Sequence, residues 1–305
     1  MCWLILVVGG LGYIGRRVVE SLVSRGEEVR VLDKARRDDL HLQGPEIVRG
    51  DATEFSMVME AMRGVERVVN LAAHVDVNES ISHPQRYLQN NITIHLNLLE
   101  AARRLGVEKV VLASSAAVYG DAPPPLREEA EAKPTSPYGL SKLCCEQLSM
   151  AYHRSFGTDA TILRYFNVLG EGGRNVLKIF VENALNDKPI IVKGRWVRGE
   201  FFPASRDFIY VDDVVGATLR ALALEPGLYT LNIGCGRPVD VRSLAELVLR
   251  ETGTEVDILL DEIGPHEPLS SWSDNTQARQ ILGWTPETSL ETIVRRYVEW
   301  YRRKK

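Results

Sequence analysis

The sequence is poor in cysteine. Among 305 residues there are four, Cys2, Cys144, Cys145 and Cys235, with no Cys-x-x-Cys spacing. Neighbours such as Cys144 and Cys145 do not readily pair, so neither a disulfide scaffold nor a structural zinc site is expected, and a reducing cytoplasm fits. The six histidines are scattered without ligand spacing, so no metal is expected. An excess of positive charge is also missing. Lys and Arg total 37 against 41 Asp and Glu, a formal net charge of -4. That balance gives no electrostatic footprint for nucleic acid. Long apolar runs are absent too. The N-terminal run Met1–Val8 is too short to span a bilayer, and it lacks the basic start and small-residue cleavage site of a signal peptide. A buried first strand is the expectation, with no membrane role. Repeats and low-complexity tracts are lacking.

The first half alternates short apolar runs with amphipathic stretches. Strands are expected at Leu4–Val8, Glu28–Asp33, Glu46–Arg49, Arg67–Leu71, Lys109–Ala113 and Asp159–Tyr165. Helices are expected at Tyr13–Arg25, Ser56–Met62, Pro84–Leu105 and Pro137–Phe156, with a loop over Asp121–Pro137. Apolar strands without alternation, separated by helices, indicate a parallel sheet covered on both faces. Right-handed crossovers then give an α/β, doubly wound, Rossmann-like fold. Beyond Gly170 the pattern turns irregular, and Val192–Arg206 shows no clear period. Helices return at Val241–Thr252 and Leu290–Arg303. The expected organisation is a dinucleotide domain over 1–170, joined again by 206–234, and a smaller, loop-rich substrate domain over 171–305.

Between the first strand and first helix lies Gly9-Gly-Leu-Gly12-Tyr-Ile-Gly15. Glycines there let the backbone approach a pyrophosphate, and the helix N-terminus offers free N–H groups. A tight turn alone could use the same glycines. The setting adds to the signal, because Asp33 ends the next strand. A carboxylate there accepts from a ribose diol and repels a 2′-phosphate, favouring NAD over NADP. Lys34, Arg36 and Arg37 stand close by, with charge for a phosphate. Asp51 suits either the adenine amino group or a helix N-cap before Thr53.

Tyr138-Gly-Leu-Ser-Lys142 puts a phenol and an ammonium on one helix face. The ammonium favours phenolate, so the tyrosine pKa is expected to fall toward neutrality. By itself the pair also fits a half-buried tyrosine above a solvated lysine. Ala113-Ser114-Ser115 closes a parallel strand at its carboxyl end, where open sheets bind ligands.

These pieces, in order, carry a family resemblance: GGLGYIG, Gly50-Asp51, Asn70-Leu-Ala-Ala73, Asn91, Ser114 to Gly120, Tyr138 to Lys142, Arg164-Tyr-Phe-Asn167, Arg206 to Asp213, Asn232-Ile-Gly and Leu282-Gly-Trp-Thr-Pro286. The chain resembles the extended short-chain dehydrogenases/reductases, specifically the UDP-glucose (UDP-galactose) 4-epimerase group. The resemblance implies bound NAD, a UDP-hexose substrate and a homodimer packed through Pro84–Leu105 and Pro137–Phe156. It implies NAD contacts at Gly9, Gly12, Tyr13, Ile14, Gly15, Asp33, Lys34, Asp51, Ala52, Leu71, Ala72, Ala73, Asn91, Ser114, Tyr138, Lys142 and Tyr165. Ser115, Tyr138 and Lys142 would be catalytic. Ser115, Tyr138, Asn167, Asn175, Val176, Arg206 and Glu267 would hold the substrate. Without the resemblance, Asn167 reads as a turn residue and Arg206 as a partner for Asp207.

Three departures bear on the reaction. Related dehydratases and decarboxylases carry an acid just after the serine, where this chain has Ala116 and Ala117. The family's diphosphate arginine is missing from Gly264-Pro-His-Glu267-Pro, and Arg195 or Arg198 is expected to replace it. Ser271 falls where a bulky gate residue restricts other members, so N-acetylated sugars are expected to enter. Two other functions remain open on the sequence. One is an NAD(P)H-dependent ketosugar reductase, and the other is a catalytically silent NAD-binding sensor.

Overall fold

The computed structural model describes residues 3–35 and 44–304. In chain order its strands are β1 (Leu4–Val8), β2 (Glu28–Asp33), β3 (Glu46–Arg49), β4 (Arg67–Asn70), β5 (Lys109–Ser115), β6 (Ala160–Tyr165), β7 (Asn167–Leu169), β8 (Ile190–Val197), β9 (Glu200–Pro203), β10 (Ser205–Arg206), β11 (Phe208–Tyr210), β12 (Leu228–Ile233), β13 (Val239–Asp240), β14 (Ile258–Glu262) and β15 (Ser270–Ser271). The helices are α1 (Tyr13–Ser24), α2 (Phe55–Ala61), α3 (Val77–Ser82), α4 (Pro84–Leu105), α5 (Pro137–Phe156), α6 (Val176–Ala184), α7 (Val211–Leu222), α8 (Val241–Thr252), α9 (Thr276–Leu282) and α10 (Leu290–Lys304).

Seven strands form one sheet in the order β12-β6-β5-β4-β1-β2-β3, every neighbouring pair parallel. Both of its faces are covered, which is why β1 is apolar throughout. Ile5, Leu6 and Val7 are fully buried, each worth about 1.5–3 kcal/mol relative to exposure. Helices α1 and α7 pack on one face, while α2 and α4 pack on the other. The chain leaves β1 in one direction for β2 and β3, then in the other for β4 to β6. The crevice at this switch opens between Gly9, after β1, and Leu71, after β4.

Helix α5 carries much of the site. Ser136 accepts the Gly139 N–H at 3.1 Å, Pro137 opens the helix, and Gly157 ends it at φ 70. Its buried face is polar: Tyr138, Ser141, Lys142, Glu146 and Ser149 all lie inward. Such a stripe is stable only if each group finds a partner.

The C-terminal lobe packs α6, α8 and α10 around Leu177, Phe180, Leu244, Val248 and Val294. It corrects one expectation. Val192–Arg206 is not irregular but forms β8, its antiparallel partner β9, and β10. The alternation was hidden because apolar Ile191 and Val197 share the outward face with Lys193, and Gly194 interrupts the inward one. Ile190 and Val192 point inward, while Ile191 and Val197 point out, exposed to 46 % and 44 %. Among the described residues no helix is long and apolar enough to cross a membrane.

Candidate active site

The glycine loop is fixed by close backbone contact. Gly9 has φ +78, and a Cβ there would sit 2.8 Å from the Ala72 nitrogen. At Gly15 a Cβ would sit 2.1 Å from the Gly9 carbonyl oxygen, so only glycine lets α1 start here. Gly12 is the N-cap of α1 and supplies no side-chain cap. The opening N–H groups of the helix, from Tyr13 onward, keep their capacity for an anion. Asp33 accepts from Leu11 N at 3.0 Å and Ala35 N at 2.8 Å, one donor per oxygen. A carboxylate has about four acceptor sites, so two remain for a ribose diol. These residues fit a dinucleotide.

Around this cradle several side chains are held by partners within the chain. Lys34 donates to Asp51 at 3.3 Å and to Asn90 at 3.4 Å, so its ammonium is turned onto that pair. Arg36 and Arg37 lie outside the described residues. Asp51 is not the N-cap of α2, a place held by Glu54; its carboxylate takes the Thr53 N–H and hydroxyl at 3.0 and 2.9 Å. Those bonds and Lys34 hold its carboxyl below the usual range, against the opposing effect of partial burial. Tyr13 turns its hydroxyl into the protein near Gly170 and Gly173, where it is buried without a partner. Ile14 packs into the cores on either side, and Ala52 is buried.

The wall opposite Gly9 hangs from two asparagines. Asn70 accepts the Ala72 N–H at 3.2 Å and meets His95 Nδ1 at 3.2 Å. His95 Nε2 reaches the Ser149 hydroxyl at 2.7 Å. Because Asn70 Nδ2 donates to Nδ1, the imidazole is the neutral Nε2–H tautomer. Asn91 clamps His74 through both N–H and carbonyl, at 2.8 and 3.0 Å, and donates to the Ser141 hydroxyl at 2.9 Å. It thus ties His74, which follows the segment Leu71–Ala73, to α5, and its amide is used inside the chain.

Ser115, Tyr138 and Lys142 come together at the carboxyl end of β5. The Ser115 side chain hydrogen-bonds Tyr138, and its Oγ also accepts the Ala117 N–H at 3.2 Å. The Lys142 ammonium donates to the Ala113 carbonyl at 2.7 Å. Both Tyr138 and Lys142 are buried. The expected fall of the Tyr138 pKa is corrected here. Among protein groups burial dominates and pushes the phenol up, with the Ser115 hydrogen bond opposing. Burial likewise pushes the Lys142 ammonium down.

Behind this trio stands a buried network centred on Glu146, a residue the sequence reading did not single out. Glu146 accepts from Ser114 Oγ at 2.5 Å, Arg164 Nε at 3.0 Å and Arg164 Nη2 at 2.7 Å. Arg164 also donates to the Tyr119 hydroxyl at 2.8 Å, which donates to Asn232 at 2.7 Å. The Ser114 hydroxyl therefore faces α5 rather than the crevice. Tyr165 is turned inward too, its hydroxyl 2.7 Å from Thr218. The signal for Glu146 was present, since it continues the stripe of Tyr138 and Lys142 by one turn.

On the substrate side, Arg206 is not the partner of Asp207. Strand alternation sends the two apart. Asp207 is buried and accepts from Cys235 N, Gly236 N, Ser273 N and Ser273 Oγ at 2.6–3.1 Å. Arg206 faces Glu267 at 3.8 Å and donates to the Ser205 and Leu269 carbonyls. Asn167 donates to the Asp207 carbonyl at 3.3 Å. Asn175 caps α6 through Leu177 N and donates to the Val168 carbonyl, so both ends of its amide are engaged beside Val176, the first residue of that helix. Ser271 is buried alongside Arg206 in parallel register. Arg195 lies on β8 opposite Phe202, and Arg198 occupies the exposed hairpin tip at φ 51.

The model of the NAD dependent epimerase/dehydratase family matches residues 5–234. A UDP-glucuronate 4-epimerase of Thermodesulfobacterium geofontis is 32 % identical, over 97 % of this chain and 95 % of its own. The crystal structure of a UDP-glucose 4-epimerase from Thermotoga maritima with UDP-glucose superimposes with TM-score 0.91 at 32 % identity, covering 99 % of each chain. A UDP-glucose 4-epimerase of Thermus thermophilus, in complex with NAD, gives TM-score 0.90 at 31 % identity, over 98 % of this chain and 99 % of that one.

Proposed function

The chain belongs to the NAD dependent epimerase/dehydratase family, and we propose that it interconverts UDP-galactose and UDP-glucose at C4. It is an NAD-dependent nucleotide-sugar 4-epimerase. The observation that carries the C4 chemistry is the buried Tyr138 phenol, hydrogen-bonded by Ser115 and one helical turn from Lys142.

NAD would be held by the Gly9–Gly15 loop, Asp33 and the Leu71–Ala73 wall. The chemistry it supplies when bound is reversible acceptance of a hydride from the sugar C4. Tyr138 takes the proton of the 4-hydroxyl, while Ser115 holds that oxygen. Lys142 supplies the positive charge that stabilises the phenolate. The resulting 4-keto sugar turns over, anchored at its diphosphate by Arg206 with Asn167 and the start of α6. Reduction from the opposite face gives the epimer, and Tyr138 returns the proton.

An uncharged hexose suits the site better than a glucuronate. The two residues after Ser115 are Ala116 and Ala117, whose methyl groups offer no donor to a carboxylate and no acid for dehydration. Small Ser271 supports entry of UDP-GlcNAc as well. Exposed Leu96, Leu105, Leu140 and Phe156 support a homodimer through α4 and α5, which sedimentation would read.

The test is turnover of UDP-galactose by purified protein without added NAD. UDP-glucose should form, and denatured protein should release NAD. Turnover that needs added NADH and consumes it would replace this reading with a reductase. Retained NAD with no turnover of any UDP-hexose would leave a silent sensor.

A further inference from the structure

The inward stripe of α5 holds three ionisable groups one turn apart: Tyr138, Lys142 and Glu146. The reaction above uses only the first two. Glu146 is fully buried and takes three hydrogen bonds, two of them from Arg164. Arg164 enters from β6, in register with Ser114 on β5. Resting on the epimerase reading of this site, we propose that Glu146 and Arg164 are positioning residues that set the charge balance felt by Tyr138.

Ser114 joins Glu146 to the strand end bearing Ser115. The same carboxylate sits on the helix bearing Tyr138 and Lys142. The pair therefore fixes strand and helix in one register around the reacting oxygen.

Several elements bring ionisable groups toward the pocket. From α4 comes His95, pushed down to about 3 by burial and then by Lys142, so its imidazole is neutral. From α5 comes Cys145, whose thiol burial pushes up to about 12. From the turn after β5 comes Tyr119, also pushed up to about 12 by burial. Glu128 turns its carboxylate onto Asn232 N, toward β12. Among the described residues the charged groups of this network are Lys142, Glu146 and Arg164, with Glu128 on the far side of Arg164, whose guanidinium donates to the Glu128 carbonyl at 3.0 Å. Glu146 and Arg164 enter with opposite signs, so each offsets the other's effect on an ionising phenol in a buried site, where an uncompensated charge is costly. Without Arg164, Glu146 would cancel Lys142 instead, and the phenolate would stand as unmatched negative charge.

The experiment is the pH dependence of kcat for the wild type, Glu146→Gln, Arg164→Gln and the double variant, each checked for folding by circular dichroism. The acid limb should move to lower pH in Glu146→Gln and to higher pH in Arg164→Gln. The size should be roughly half to one pH unit, as for a unit charge about 10 Å away at an effective dielectric of about 20–40. The double variant should return near the wild-type limb. A merely structural pair would lower kcat in both single variants and leave the limb in place. Limbs that stay put, or move the same way in both, overturn the proposal. Should one single variant not fold, the other single and the double decide it by the same signs. The ultraviolet phenolate absorbance that Tyr138→Phe removes must titrate in the same order without substrate. A wild type that turns over no UDP-hexose would sink the functional reading, while this titration would still decide the charge pair.

Discussion

The two walls of the cleft differ in how their arginines are paired. On the dinucleotide and catalytic side, polar side chains are buried and committed: Asn70, Asn91, Ser114, Lys142, Glu146 and Arg164 each hold a named partner. On the substrate side, Arg206 reaches a carboxylate only at 3.8 Å, and Glu267 is 26 % exposed. Beyond it the β8–β9 hairpin leaves Trp196, Val197 and Phe202 outside. A proton path needs atoms held in one place. A sugar that must present both faces needs a firm hold at its diphosphate and looser walls elsewhere.

Substitutions can break that contrast. The largest effect is expected from Tyr138→Phe. Removing the phenolic oxygen should lower kcat by about 10²–10⁴-fold while bound NAD and melting temperature stay near wild type. Steady-state turnover with NAD quantified after denaturation reads both. Next is Gly15→Ala, whose methyl would meet the Gly9 carbonyl oxygen at 2.1 Å. A loss of about 3 kcal/mol in stability is expected, together with loss of co-purified NAD, both measurable by urea unfolding and extraction.

Arg206→Ala should act on the other wall. Loss of a half-buried cation should raise KM roughly 10–100-fold, as for a charged hydrogen bond, with a smaller change in kcat. A kcat loss with unchanged KM would place Arg206 in the catalytic wall instead.

His95 gives the rigid wall a pH signature. Its pKa drops from 6.5 to about 3, because burial and then Lys142 disfavour the imidazolium. Folding therefore expels a proton that the unfolded chain binds below 6.5. Its effect is nil above that value, and stability falls as pH drops from 6.5 toward 3, by up to about 1.4 kcal/mol per unit. Urea unfolding at pH 7.5 and 5.5 should show a shallower slope for His95→Gln than for the wild type. The smallest effect is expected at Arg198→Ala. The side chain sits at an exposed hairpin tip, so KM should stay within about twofold, since surface changes rarely exceed 0.5 kcal/mol.

The first half of the fold was legible because its signals are local. Leu4–Val8, Pro84–Leu105 and Pro137–Phe156 match the expected bounds, since buried parallel strands are apolar throughout and long helices are capped by Pro and Gly. The hairpin at Ile190–Pro203 was not legible, because apolar Ile191, Val197 and Phe202 lie exposed among Lys193 and Glu200 and blur the period of two.

What the sequence determined by itself was the parallel sheet, the glycine turn that admits a dinucleotide, and the Tyr138–Lys142 spacing. Each depends on neighbours within a few residues. What only the tertiary structure decided was where polar groups spend their hydrogen bonds. Asp207 went to Cys235 N and Ser273, Arg206 to Glu267, and Glu146 to a strand 18 residues away at Arg164. Hydrogen bonds form between atoms close in space, and the path of the chain sets which atoms meet.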